Sequence, residues 1–144
     1  MYQPTWKGAG MPWKHCCTFS ICAVVMLVGG CPFMGLVYEE DLVSGYAVWA
    51  TDTVEDAAIV RKDKGGSGAA VVVPAMVTAY GWNDDFIIAK QHPEKDRKVN
   101  KSITYWYIVE VASSNVHGPL SEDDFNELRT KLKVSAEISF KTIQ

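Results

Sequence analysis

The stretch "ITYWYIVEVA", Ile103–Ala112, constrains the fold more than any other part of this chain. Aromatic and β-branched residues favour strands, and here apolar residues occupy both alternating sets of positions instead of one. A strand that is apolar on both faces needs a covering layer on each side. The sequence therefore predicts a central strand inside a layered domain.

Further strands are predicted on either side of this one from residue preferences and turn signals. They are Gly45–Asp52, Ala57–Lys62, Ala69–Val73, Val77–Trp82, Phe86–Gln91 and a last short strand within "AEISFKTI". Asn83-Asp84-Asp85 joins two of them as a hairpin, since Asn and Asp bond their own backbone in turns. "DKGGSG" is also predicted to be a hairpin turn, because a phosphate-binding glycine loop opens a helix and here strands flank it. Pro74 limits the strand before it to an edge or a strand end.

The C-terminal part changes from a strand pattern to a helical one. Ser121 is the predicted N-cap of a helix over Glu122–Leu132, with three acidic residues in the first turn, where the helix dipole favours them. Phe125, Leu128 and Leu132 recur at helical spacing and form one apolar stripe. We therefore expect an α+β fold: an antiparallel sheet of about five to six strands with one C-terminal α-helix packed on it. Glu39-Glu40-Asp41 is predicted to be a charged spacer, and Glu94–Ser102 a solvated loop.

Several stretches of this domain resemble one family in the same order. They are "GWNDDFIIAKQHP", with its N-D-x-F-I-I-A-K-Q-H-P core, then "YWYIVEV" and "VHGPLSEDDFNELRTKL" with its G-P-L-[ST]-x-x-x-F helix start. The chain resembles a family of small uncharacterised bacterial proteins, a domain of unknown function, over Gly45 to Ile143. The resemblance implies a lipoprotein location, since many members look like lipoproteins, but it implies no activity. It also implies that His117 is not catalytic, because members tend to carry an aromatic residue there.

The N-terminal segment has the pattern of an export signal. Lys7 and Lys14 precede Cys16–Val28, an uncharged and mostly apolar run. "LVGGC" then resembles a bacterial lipobox, in which small residues precede the cysteine that receives diacylglycerol and, later, a palmitate-type chain. The sequence predicts a lipoprotein signal peptide over 1–30, whose true start is Met11 if the first residues are surplus. Acylated Cys31 and a tether over 31–43 then lead to a single domain over 44–144.

An uncleaved signal anchor is the alternative for the same segment. Uncharged sequence continues to Tyr38, so that Cys16–Tyr38 is long enough to span a bilayer. Both interpretations place the domain in the cell envelope, membrane-anchored and facing the periplasm or the cell exterior. Both also explain why all four cysteines lie at or before Cys31. The exported domain would then have no thiol for catalysis or for a cysteine zinc site.

The charge of the predicted domain limits its partners. Two of the 14 basic residues precede Cys31, whereas all 17 acidic residues follow it, so the remainder carries a net charge of −5. An acidic domain without a basic stripe is a poor nucleic-acid binder, and we expect no nucleic-acid partner. Two histidines at no recognised spacing also predict neither a metal site nor a cofactor.

Candidate site residues lie on the predicted hairpin. Trp82, Asn83 and Asp84 at its tip are the first contact candidates for an envelope protein or glycan, since partly exposed Trp side chains anchor such partners. This favours a non-enzymatic binding module, with no catalytic residue assigned. The alternative is a small-ligand binder or hydrolase that uses His92 and Lys90. Asp84 lies about 20 Å from His92 along the strand, too far for a catalytic pair. A purely structural envelope protein is the third hypothesis.

Overall fold

The computed structural model describes residues 35–65, 68–96 and 98–143. Within these ranges the first four strands form one antiparallel sheet in chain order. They are β1 (Tyr38–Asp41), β2 (Tyr46–Ala50), β3 (Ala58–Lys62) and β4 (Ala69–Val73). A short 3-10 helix, Val54–Asp56, connects β2 to β3. As Pro74 predicts, β4 is an edge strand of this sheet.

The elements that follow in the chain are β5 (Val77–Trp82), β6 (Phe86–Gln91), β7 (Glu94–Lys95), β8 (Lys98–Val99), β9 (Tyr105–Glu110), β10 (Val116–Leu120), α1 (Glu122–Lys131) and β11 (Lys141–Thr142). Five of these strands form a second antiparallel sheet, in the order β10-β9-β6-β5-β11. Strands β7 and β8 pair only with each other. The predicted hairpin is confirmed with the bounds expected for both of its strands, and its register pairs Tyr80 with Ala89.

The two larger sheets pack face to face. Their shared core contains Tyr46, Val48 and Ile59 from the first sheet and Ile87 and Val109, among others, from the second. Each of these side chains is almost fully buried. Burial of so much apolar surface is the main force that holds the two sheets together.

The helix covers the opposite face of the second sheet. Ile88, Trp106 and Ile108 on that face pack with Phe125 of α1 and with Ile138, and the Trp106 and Phe125 ring centroids lie 4.8 Å apart. The apolar stripe of the helix is therefore confirmed. So is the prediction for Ile103–Ala112, because β9 is buried on both faces. The described residues form three layers: the first sheet, the second sheet and the helix.

The predicted α+β class with one C-terminal helix is confirmed, but the strand count is larger than the expected five to six. The described residues form eleven strands in three sheets. Two of the additional strands are the ribbon of β7 and β8, inside the segment predicted to be a solvated loop. Another is β10, whose Val116 and His117 pair with β9. Gly118 of β10 allows a close approach, because a Cβ there would lie 2.2 Å from the Tyr107 ring.

The predicted charged spacer is wrong, because Glu39-Glu40-Asp41 lies in β1. The acidic side chains of this strand do not remain free in solvent. Glu39 and Asp41 both bind the ammonium group of Lys62 on the outer face of the first sheet, with 2.7 Å between Lys62 Nζ and Glu39 Oε1. These contacts raise the pKa of Lys62 and make an acidic sequence compatible with an edge strand.

The predicted signal peptide over 1–30 and the lipidation site Cys31 lie outside the described residues. In the part of the chain that the structure describes, no helix has the length and apolar character needed to cross a bilayer.

Candidate functional site

The hairpin tip is a turn held by its own hydrogen bonds. The side-chain Oδ1 of Asn83 accepts hydrogen bonds from the backbone N–H groups of Asp85 and Phe86, at 3.0 and 2.8 Å. Asn83 therefore shapes the turn, as its residue type predicts. Asp84 is exposed at the tip, and Trp82 is half-buried against the sandwich core.

Trp82 lies beside a group of polar side chains that the sequence did not predict. Its ring stacks on that of Tyr80, with centroids 5.8 Å apart and an interplanar angle of 22°. The Tyr80 hydroxyl in turn lies 2.6 Å from Glu40 Oε2 and 2.7 Å from the Tyr38 hydroxyl. Lys141 completes the group with an ion pair to Glu40. We call Tyr38, Glu40, Tyr80 and Lys141 the edge cluster.

The edge cluster joins edge strands of two different sheets. Tyr38 and Glu40 belong to β1, the edge of the first sheet, whereas Lys141 belongs to β11, the edge of the second. Tyr80 lies on β5, the neighbour of β11, and its side chain is fully buried. Because Glu40 is about one-quarter exposed, the cluster is open to solvent on one side.

The charge of Glu40 is stabilised strongly within this cluster. Partial burial by itself raises the pKa of Glu40, but hydrogen bonds from Lys141, Tyr38 and Tyr80 outweigh that effect and lower the pKa to about 2. Burial, followed by the hydrogen bond to Glu40, raises the pKa of Tyr80. The pKa of Lys141 is also raised, chiefly by Glu40. The cluster therefore holds one carboxylate and one ammonium beside two tyrosine hydroxyls.

Lys90 and His92 do not share a site, although they are close in sequence. The Lys90 ammonium lies over the rings of Trp106 and Phe140, 4.2 and 4.6 Å from their centroids, on the helix side of the second sheet. This is a cation–π arrangement that also covers core aromatic surface. His92, by contrast, lies beyond the end of β6 and lines a cleft that Lys90 does not line. Asp84 is at the opposite end of β6 from His92.

The cleft at His92 has a volume of about 270 Å³. Val54, Met76, Val77 and Ile143 supply much of its apolar wall. Its charged lining residues are Glu55 and Lys101, which are exposed and pair with each other at 3.5 Å. The cleft thus forms where the chain passes from β4 in the first sheet to β5 in the second.

His117 forms a separate hydrogen bond with Glu110. Its Nε2 lies 2.6 Å from Glu110 Oε1, and this hydrogen bond lowers the pKa of the Glu110 carboxyl. Both residues are on the β9–β10 side of the second sheet, away from β11 and the cleft. Among residues 35–65, 68–96 and 98–143, no group of three His, Cys, Asp or Glu side chains is placed to hold a metal ion.

Tyr38, Glu40, Tyr80 and Lys141, which form the edge cluster, are site residues that the sequence did not predict. A weak signal for Tyr38 and Glu40 is nevertheless present in "YEED". Its first and third residues are an aromatic and an acidic residue, whereas its second and fourth residues are both acidic. A strand with that alternation directs Tyr38 and Glu40 to one face and Glu39 and Asp41 to the other. The acidic composition, which disfavours strands, obscured the pattern.

Comparison with known protein families identifies a family whose model covers most of the domain. The model of a family described as a protein of unknown function, DUF3997, matches residues 43–144. No curated protein matches the chain. No solved structure matches it either.

Proposed function

The chain belongs to the DUF3997 family of proteins of unknown function, and from that premise we propose that it is an exported lipoprotein whose domain is a non-enzymatic binding module of the cell envelope. Two separate claims make up this proposal. One concerns anchoring through Cys31, and the other concerns the surface that binds a partner.

Anchoring is supported by the sequence of the N-terminal segment. A positive start, an uncharged apolar run over Cys16–Val28 and the small residues Gly29 and Gly30 lead directly to Cys31. The cysteine would carry the lipid, and the residues between Cys31 and β1, which begins at Tyr38, would serve as a short tether. One acyl chain gives only marginal, reversible attachment, whereas the two chains of a diacylglycerol on Cys31 would hold the domain at the bilayer more firmly.

The observation that carries the binding claim is the surface formed by Trp82 and the edge cluster. A half-exposed indole stacks on a buried tyrosine, beside a solvent-accessible Glu40–Lys141 pair. Trp and Tyr side chains held rigidly dominate many interfaces, because they bury large areas at a low entropic cost. The exposed face of Trp82 can stack on a sugar ring or fill a pocket of a protein. Asp84, exposed at the adjoining tip, adds a hydrogen-bond acceptor.

Anchoring is tested by metabolic labelling with palmitate in a bacterial host. Wild-type protein should incorporate the label and lose its first 30 residues, whereas Cys31→Ser should remain unlabelled and unprocessed. Cys22→Ser is the matched control, because that cysteine lies within the predicted signal and its loss should change neither result. A wild-type chain that keeps residues 1–30 and takes no label would show the signal-anchor alternative to be correct.

The binding surface is tested by crosslinking in intact cells. A photoreactive phenylalanine analogue replaces Trp82 in one variant and Asp123, exposed on α1, in a control variant. The proposal expects a defined adduct from position 82 that is absent from position 123. A glycan partner would instead shift the Trp82 indole N–H resonance when envelope polysaccharide is added. Equal adducts from both positions, with no such shift, would favour the purely structural role.

Small-ligand binding is the second candidate, and the cleft at His92 is the observation that favours it. Lys90 belongs to a different surface, where its ammonium contacts Trp106 and Phe140. A ligand at His92 would therefore meet Glu55 and Lys101 instead of Lys90.

A further inference from the structure

We propose that the cleft at His92 binds a small, mostly apolar molecule that carries one hydroxyl or N–H donor, such as a phenol. The inference rests on the second candidate function above and does not depend on anchoring at Cys31 or on the Trp82 surface.

The hydrogen bonds of His92 fix the role of each ring nitrogen. Nδ1 lies 2.8 Å from the carbonyl oxygen of Ile103. A carbonyl oxygen only accepts, so Nδ1 carries the proton and Nε2 of the neutral ring carries a lone pair. Nε2 forms no hydrogen bond to any of the described residues, and His92 lines the cleft. With the proton on Nδ1, the other ring nitrogen offers an acceptor to a molecule in the cleft.

The position of His92 is fixed by its backbone as well. Its N–H donates to the carbonyl oxygen of Met76 at 3.0 Å. Met76 itself has a φ of 73°, a left-handed conformation that costs a non-glycine residue free energy. The next residue, Val77, donates to Ala57, which follows the 3-10 helix. These contacts hold the imidazole and the apolar walls in place before any ligand arrives, which lowers the entropic cost of binding.

The charged residues of the cleft already have a partner, and this favours a neutral ligand. Glu55 and Lys101 pair with each other at 3.5 Å, and both are about 70% exposed. Two exposed charges that screen each other attract an ionic ligand weakly. The walls from Val54, Val77 and Ile143 favour hydrocarbon or an aromatic ring. A volume of about 270 Å³ is at the small end for ligand sites, so a single-ring molecule fits better than a drug-sized one.

Phenol and toluene are the probes, because they have nearly the same shape and only phenol has a donor. Each is titrated into the purified full-length protein at about pH 8. The side-chain methyl resonances of Met76, Val77 and Ile143 should shift with both probes. In His92→Phe, phenol should bind about 10-fold more weakly, whereas toluene affinity should change less than twofold.

Two further variants make the result decisive. His117→Phe replaces a histidine at the other edge of the second sheet and should leave both affinities unchanged. Thr142→Trp fills the cleft from an exposed position on β11 and should abolish binding of both probes without altering the core. The proposal is overturned if neither probe shifts the cleft methyls, or if the phenol-to-toluene affinity ratio is the same in His92→Phe as in wild type. Neither result would affect crosslinking at Trp82.

Discussion

At the scale of single residues, Glu40 connects parts of the chain that are far apart in sequence. Its Oε2 receives hydrogen bonds from Tyr38 on the same strand, from Tyr80 forty residues later and from Lys141 at the C-terminal end. Hydrogen bonds to a charged group are about twice as strong as neutral ones. Glu40 therefore stabilises the contact between the open edges of the two sheets as well as the local strand.

We expect the folded state to lose stability in acid as Glu40 becomes protonated. The folded pKa is lowered to about 2 from the ordinary value of 4.5, so the stabilisation is fully present above about pH 4.5. It is lost as the pH falls from about 4.5 towards 2. Because water reaches part of the carboxylate, we expect the free energy of unfolding to fall by about 1 to 2 kcal/mol, less than the full pKa shift would give. Urea unfolding at a series of pH values measures this loss.

Glu40→Gln is the variant that isolates this carboxylate. It retains the shape of the side chain and removes the charge, so its stability should fall below that of wild type at pH 7 and approach it near pH 2. Glu122→Gln, in the first turn of α1, is the matched control for loss of one exposed carboxylate. A wild-type minus Glu40→Gln difference that stays constant between pH 7 and pH 2 would contradict the assigned pKa.

Neither the edge cluster nor the cleft could be predicted at the residue scale. Turn formation by Asn83 follows from short-range chemistry, since its side chain bonds the backbone two and three residues later. The contact between Glu40 and Lys141 spans 101 positions and depends on how two sheets pack. His92 was singled out for its chemistry, but Glu55 and Lys101 join it only because the 3-10 helix and the residues after β8 meet beside β5.

At the scale of elements, the start of α1 depends on Ser121. Its Oγ accepts a hydrogen bond from the backbone N–H of Asp124 and donates one to the carboxylate of the same residue. We expect Ser121→Ala to lower the free energy of unfolding by about 1 kcal/mol, because it leaves an N–H of the first turn without its cap. Thermal unfolding followed by circular dichroism measures the change. Ser121→Thr, which retains the hydroxyl, should lose less than half as much.

A second element depends on Gly81 in β5. A Cβ at this position would lie 2.2 Å from the carbonyl oxygen of Ser139, closer than any contact that a folded chain tolerates. We expect Gly81→Ala to displace the segment before β11 and to cost about 1 to 3 kcal/mol. Amide hydrogen exchange should then quicken at Ile143, whose N–H donates to Thr78 across the same pair of strands. An unchanged exchange rate at Ile143 would contradict this prediction, because it would mean that the added methyl group is accommodated while β5 and β11 stay paired.

The elements differ in how far their sequences determine them. Strands β5 and β6 have the predicted bounds because apolar residues end at a turn of Asn and Asp on one side and at Pro93 on the other. Strands β1 and β10 contain acidic residues or Gly118-Pro119, which disfavour strands locally. Pairing with a neighbour overrides that preference, as the contacts of Lys62 with Glu39 and Asp41 show for β1.

At the scale of the whole molecule, the second sheet is the layer on which the other two depend. Its inner face meets the first sheet, and its outer face meets α1, so adjacent residues of one strand belong to different cores. The sequence of β9 predicted two covering layers but not what they were. It could not have predicted that the first four strands separate into a sheet of their own, since nothing in a local pattern distinguishes one sheet of many strands from two that pack together.

This arrangement predicts that both cores unfold together. Ile87 and Ile88 are adjacent on β6 and both fully buried, the first against the first sheet and the second against the helix. Ile87→Ala and Ile88→Ala remove the same atoms, and each should cost about 2 to 5 kcal/mol. Because side chains of β6 enter both cores from one backbone, loss of packing in either core should lower the midpoint of a single cooperative unfolding transition.

Chemical denaturation followed by two probes distinguishes joint unfolding of the two cores from independent unfolding of the layers. Helical circular dichroism at 222 nm reports α1, and the indole N–H resonance of Trp49, on β2, reports the first sheet. The two curves should coincide in wild type and in both variants. If α1 instead unfolded as its own unit, Ile88→Ala would move the helical transition to a lower denaturant concentration than the Trp49 transition. Ile87→Ala would not make the helical transition come first. Coincident curves in both variants would establish the middle sheet as the element through which the stability of the helix and of the first sheet is coupled.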